Sequence, residues 1–281
     1  MQRFLWLVLA CSPPLLSAQQ SSTKPVALPI QDNSFLVEEA YNQGRGVVQH
    51  INTFARAANQ GGWDYSFTQE WPFRSQRHQV SYTIPASRIS DAGRGQTGVG
   101  DIALNYRYQA GRIEGAATAF APRASLLLPT GDSDRGFGAG GAGLQFNLPF
   151  SAELPASMVV HSNAGATYVP RGRDVIGNRA ATTGFTLAQS VIWLAHPKLN
   201  LMLEGVWNRS QQIVGPGRTA SSTEFLISPG VRGAIDFSSG LQIVPGIAFP
   251  IGVGPSKGER SMFAYLSFEH PFAKQDSEPE N

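Results

Sequence analysis

Cysteine is nearly missing from this chain: its single copy, Cys11, lies in an N-terminal stretch that also holds one charge, Arg3, and the apolar run Phe4 to Ala10. That stretch reads as a secretory leader over residues 1–18, cut after Ala18. Leu16 is bulky for a position just before a cut, and cleavage before Cys11 with lipid attachment is the alternative. A cut at Ala18 leaves a mature chain without cysteine, which excludes disulfides and thiolate metal sites. Long apolar runs are also missing: after the leader no stretch of eighteen apolar residues follows, so no helix of the sequence can span a bilayer. Charge is scarce at 15% of residues, against roughly 25% in an ordinary soluble domain. Lysine is rarer still, with only Lys24, Lys198, Lys257 and Lys274. A soluble β-protein guards its edges and outer face with lysine and glutamate, and this chain has little with which to do so. The whole chain has 22 basic and 20 acidic residues. That near-balance excludes a strongly basic nucleic-acid surface.

What is present is period-two alternation. Along Asp101 to Gln109, Ile102, Leu104, Tyr106 and Tyr108 take one face, and Asp101, Asn105, Arg107 and Gln109 the other. Side chains alternate across a strand, so such a segment has one oily and one wet face. About twelve segments of this kind follow residue 46, beginning with Val47 to Ala57 and ending with Ser261 to Phe272. Most run roughly ten to fifteen residues, longer than the usual soluble strand of about five or six and long enough to cross a bilayer at a tilt. Leu144, Phe146, Leu148 and Phe150 mark an oily face; so do Phe225, Ile227, Val231, Ile235 and Phe237. Aromatic residues Trp63, Trp71, Tyr168, Trp193 and Trp207 fall near strand ends, as interfacial girdles do. The prediction is all-β: a transmembrane, antiparallel, up-and-down barrel of about twelve strands over residues 46–272, closed because an open edge cannot face lipid. The aromatic last strand resembles the signal read by the outer-membrane assembly machinery, and a polar tail over 273–281 follows it.

Residues 19–45 precede the barrel. Within them, Ser34 to Asn42 predicts a short helix, with Glu38 and Glu39 suited to a first turn. The segment is either a periplasmic lead-in or a plug folded into the lumen.

Several stretches resemble the outer-membrane barrels labelled "MetA-pathway of phenol degradation", often called transporters. They are Gly98 to Tyr108, Pro122 to Asp132, Asn163 to Tyr168, Leu203 to Trp207, Ser228-Pro-Gly-Val-Arg232, Val244-Pro-Gly-Ile247, and the opening Ser34 to Gln43 with Val47 to Ile51. The resemblance covers nearly the whole mature chain. It implies an outer-membrane barrel associated with uptake of aromatic or other hydrophobic compounds, and carries no catalytic or binding residues over.

Alternation turns Asp64, Glu70, Asp101, Arg107, Arg123, Glu204, Glu224, Arg232, Asp236 and Glu269 inward. Asp101, Arg107, Arg123, Glu204, Glu224, Arg232 and Asp236 are the candidate lumen-lining set. Such groups either line a pore or pair across strands and fill a narrow barrel. Signals for chemistry are weak. His161 and Asn163 share a face and Ser162 points away from it, so no triad forms within that strand. The glycine run at 138–143 joins strands and opens no helix, and the histidines lack metal-ligand spacing. Neither a cofactor nor a metal is expected, and no enzymatic activity. The functional expectation is a passive channel or facilitator for small solutes in the outer membrane. The alternatives are a closed structural or adhesive barrel and, third, an outer-membrane hydrolase. The expected partners are the lipid bilayer, the assembly machinery and a small-molecule solute, with no nucleic acid.

Overall fold

The computed structural model describes residues 33–58, 61–91, 94–111 and 117–272. The leader expected over 1–18, with Cys11, and the tail expected over 273–281 lie outside the described residues. The chain forms twelve antiparallel strands closed into one barrel. Seven are continuous: β1 (Val47–Ala57), β2 (Trp63–Phe73), β3 (Ser75–Asp91), β7 (Met158–Arg173), β8 (Arg179–His196), β9 (Leu199–Gly215) and β12 (Ser261–Pro271). Five come in two pieces: β4 (Arg94–Val99, Ile102–Tyr108), β5 (Thr118–Phe120, Arg123–Leu128), β6 (Gly143–Asn147, Phe150–Leu154), β10 (Arg218–Gly233, Ile235–Asp236) and β11 (Gln242–Ala248, Ile251–Gly252). Three of the breaks fall at Pro122, Pro149 and Pro250, where the ring removes a ladder donor.

Closure is direct. β1 pairs with β12 in unbroken register from Val47↔Pro271 to Ala57↔Ser261, so the sheet has no open edge. The even strand number puts both ends of the barrel at one rim, here called the terminal rim. The expected faces are the observed ones. Leu144, Phe146, Leu148 and Phe150 stand exposed on the outer wall, as do Phe225, Ile227, Ile235 and Phe237. Their strand neighbours Asn147, Ser151, Ser228 and Arg232 are buried inside. This is the reverse of a soluble sandwich, whose apolar face would be the buried one.

The short helix expected over 34–42 is not formed. Residues 33–44 form no helical turn, and the backbone bends at Phe35 to Val37 and at Ala40. The physical reason is that their backbone N–H groups find partners on the barrel wall, far away in sequence, rather than four residues back.

Candidate functional site

Residues 33–43 lie inside the barrel, toward the terminal rim. The segment is held almost entirely by side chains of the wall. One carboxylate oxygen of Glu204, on β9, accepts the consecutive N–H groups of Phe35, Leu36 and Val37 at 3.1, 2.8 and 3.2 Å. Successive N–H groups converging on one oxygen form an anion-binding nest. Asn163 on β7 acts like a missing strand, taking the Glu38 N–H at 2.8 Å and donating to the Glu38 carbonyl at 2.7 Å. Ser151 accepts the Ala40 N–H at 2.8 Å, Gln109 that of Asn42 at 3.2 Å, and Gln79 that of Gln43 at 2.7 Å. Buried backbone donors must be satisfied, and here the wall satisfies them without a hydrogen-bonded ladder.

The charged centre is built on Glu38. Arg107, on β4, meets its carboxylate at 3.2 Å, and Arg123, on β5, at 2.9 Å. Asn147 donates to the same carboxylate at 2.7 Å. Arg107 is 3% exposed and reaches further along the segment. Its guanidinium donates to the Glu39 carbonyl at 3.2 Å, the Tyr41 carbonyl at 2.5 Å and the Asn42 side-chain oxygen at 2.9 Å. Planar guanidinium geometry suits such divergent acceptors. Glu70 lies 3.8 Å from Arg107 and accepts from Gln79 at 2.7 Å.

At the other end of the segment the anchor is apolar. The Phe35 ring packs against Phe263 and Tyr265, with centroids 5.7 and 5.3 Å apart. The niche exists because two wall residues have no side chain. A Cβ on Gly246 would lie 2.4 Å from the Phe35 ring, and one on Gly230 would lie 2.8 Å from it. Both glycines follow prolines, in Pro229-Gly230 and Pro245-Gly246, on adjacent strands. The two Pro-Gly pairs seen in the sequence thus form the seat for the segment's aromatic residue.

The sequence-derived lumen set separates by position. Arg107 and Arg123 come together on Glu38. Glu204 cradles residues 35–37, and Arg232, 2% exposed, donates to the Asn33 carbonyl. Glu224 lies toward the far rim, where Asn208 donates to it at 3.0 Å. Asp236 sits at the terminal rim with Lys198 at 3.0 Å. Asp101 occupies the break in β4, where it accepts the N–H groups of Gly131 and Ala139 at 2.9 and 2.7 Å and so ties down the loop between β5 and β6.

Above the segment is a cavity of about 400 Å³, lined by Glu70, Asn105, Arg107, Arg123, Gln145 and Tyr265 with the segment itself. A wider space of about 580 Å³ lies toward the far rim among Thr167, Thr186, Asn208, Ser222 and Glu224. Among the described residues, no three His, Cys, Asp or Glu side chains gather as metal ligands.

Sequence reasoning missed Ser151. It pairs with His161 across strands β6 and β7, and its hydroxyl lies 2.7 Å from His161 Nδ1. A nucleophile–base contact therefore exists, though not with Ser162. Both residues are fully buried, and the Ser151 hydroxyl also holds the Ala40 N–H. This serine works as an anchor for the segment. Ser151→Ala is expected to lower stability by about 0.5–1.5 kcal/mol, the worth of a typical hydrogen bond, in a denaturant titration. Loss of an ester-hydrolysing activity in that variant would speak for the hydrolase instead.

No family model matches the chain, and no curated protein matches it. Among solved structures it is similar to an outer membrane channel from Pseudomonas putida F1, at 13% identity and a TM-score of 0.61, over 82% of this chain and 97% of that one. It is also similar to the NanC porin, at 8% identity and a TM-score of 0.51, over 78% of this chain and 98% of that one. At such identities the likeness shows the fold, the closed antiparallel barrel of outer-membrane channels.

Proposed function

We propose that this protein is an outer-membrane channel whose lumen is closed by its own residues 33–43, and that it passes small solutes by passive diffusion when that segment leaves. The observation that carries this reading is the way the segment is bound. It is fixed by wall side chains rather than by strand pairing, so it can depart without breaking the barrel's ladder. The cavity above it is lined by two arginines, Arg107 and Arg123, among apolar and polar side chains, and charged groups on a lumen wall can select solutes. The exposed apolar outer wall supports placement in a bilayer, and the leader expected over 1–18 supports export to the outer membrane. Insertion there would need the assembly machinery. The likeness to two outer-membrane channels, and the resemblance to barrels of the phenol-degradation MetA pathway, favour a transport role over catalysis. The niche around Phe35 favours solutes bearing an aromatic ring, because such a ring can take that residue's place. The second reading, a closed structural barrel, rests on the same dense hydrogen bonding and treats it as permanent.

A reversible tether separates the two. Ser34 donates to Ser190 at 2.6 Å, so paired Ser34→Cys and Ser190→Cys changes put two sulfurs within reach of a disulfide about 2.05 Å long. The expected result is a silent barrel when oxidised and one that shows openings when reduced. Equal silence in both states, with the barrel folded, favours the structural reading.

A further inference from the structure

The outer wall carries a feature that the lumen does not explain. His50 on β1 and His270 on β12 meet at the seam where the barrel closes. Their Nε2 atoms are 3.2 Å apart. Ring centroids are 5.3 Å apart with planes 24° from parallel, so the two rings lie nearly head to head, nitrogen toward nitrogen. They are diagonal neighbours across the seam, since Val48 pairs with His270 and His50 with Phe268. Phe67, on β2, stacks against His50 at 6.0 Å and 19° and fixes the orientation of that ring. Both histidines are outward, because Gln49 and Glu269 beside them are the buried, lumen-side residues. Both stand close to the ends of their strands, at the terminal rim.

Two imidazoles aimed at one point suit a metal ion. Zinc binds imidazole nitrogen at about 2.0–2.1 Å, so two such nitrogens on one tetrahedral ion stand about 3.3 Å apart. The observed spacing is already that of a ligand pair. A metal sits off the line between the nitrogens, so each ring must turn by roughly 40° to aim its lone pair at it, a rotation about the side-chain torsions. Binding uses both Nε2 lone pairs, so the ring that donates in the free pair carries its proton on Nδ1 in the metal-bound form. Among the described residues, Val48, Asn52, Phe67, Gln69 and Phe268, the other outward residues around the pair, include no carboxylate. Water or the phosphate oxygens found at a membrane rim can fill the remaining coordination positions.

We propose that His50 and His270 form a two-imidazole site for a divalent first-row transition metal ion, which staples the first strand of the barrel to the last. Imidazole donors favour zinc, nickel and copper over magnesium and calcium. An ion that binds only the closed barrel stabilises closure by mass action. The site lies on the wall, not in the lumen, and does not depend on the channel reading.

The test uses untagged, full-length folded protein in detergent. Thermal unfolding is followed by the mobility shift between folded and unfolded barrel, and zinc binding by calorimetry. The expected result is one zinc per barrel, a raised melting temperature with zinc or nickel, and no change with magnesium. Chelation should reverse the rise. His50→Asn and His270→Asn should each remove both the binding and the rise, while His78→Asn and His196→Asn retain them. Zinc binding that survives in either seam variant, or an absence of stoichiometric binding to the wild type, overturns the proposal.

Discussion

Replacing Gly246 with valine opens the barrel without unfolding it. The added Cβ falls where the Phe35 ring now sits, 2.4 Å from its nearest atom, well inside van der Waals contact. Neither partner can yield easily. The glycine backbone is paired in β11, facing Tyr265 of β12, and the ring is confined by Phe263 and Tyr265. The segment is the weaker partner, because its ties to the wall are side-chain bonds, each worth about 0.5–1.5 kcal/mol net. Phe35, partly buried against Phe263 and Tyr265, also loses part of its ring's burial, for which full burial is worth about 1.5–3 kcal/mol. The expected outcome in a planar bilayer is a barrel that opens more often than wild type, with the folded band in a gel unchanged. Gly205→Val is the comparison, since a Cβ there meets nothing within 4 Å, and it should leave conductance as it is. Unchanged conductance in Gly246→Val would mean that the Phe35 seat does not hold the segment.

Removing the Arg107 guanidinium has the second large effect. Its loss strands Glu38, Glu39 and Glu70 in a crowded interior, with Arg123 the remaining cation beside Glu38. Breaking a buried pair by deleting one partner costs about 3–5 kcal/mol. The chain has a way to avoid that cost: if residues 33–43 leave, water hydrates the exposed carboxylates. Arg107→Ala should therefore make the segment cleavable by added protease and raise conductance, with only a small fall in barrel stability. Arg107→Lys keeps the charge but loses the fork that reaches Glu38, Tyr41 and Asn42 together, and should fall between wild type and alanine. A large drop in barrel stability with the segment still protected would assign Arg107 to packing of the wall.

The barrel was legible because each strand states its own faces. Leu144 to Phe150 and Phe225 to Phe237 show outward and inward parity within a few residues, and a period of two needs no partner to be read. The fate of residues 34–42 was not legible in the same way. Local sequence offered Glu38 and Glu39 as first-turn residues of a helix, but the segment's N–H groups find wall partners, Glu38 on Asn163 and Phe35 on Glu204, 125 and more residues later. The lumen set was half legible. Parity turned Arg107, Arg123, Glu204 and Arg232 inward, and all four touch the segment. It gave no hint that Glu38 would pair with two of them. Parity was also uninformative at strand breaks: Asp101 serves a loop and Asp236 a rim lysine, because the chain leaves the regular ladder there. Ser151 and His161 lie on different strands, and their contact follows from cross-strand register, which no single strand encodes. The Pro-Gly pairs were visible in the sequence, but their meaning waited for Phe35.

The most direct measurement is single-channel conductance of the refolded full chain beside the same chain lacking residues 33–43. The proposed channel predicts rare or small openings in the intact protein and large, steady ones in the deletion. It further predicts that aromatic solutes block the deletion more strongly than aliphatic ones of similar size. Equal conductance in the two proteins, or a folded deletion that stays silent, would contradict it and leave a barrel closed by its own wall.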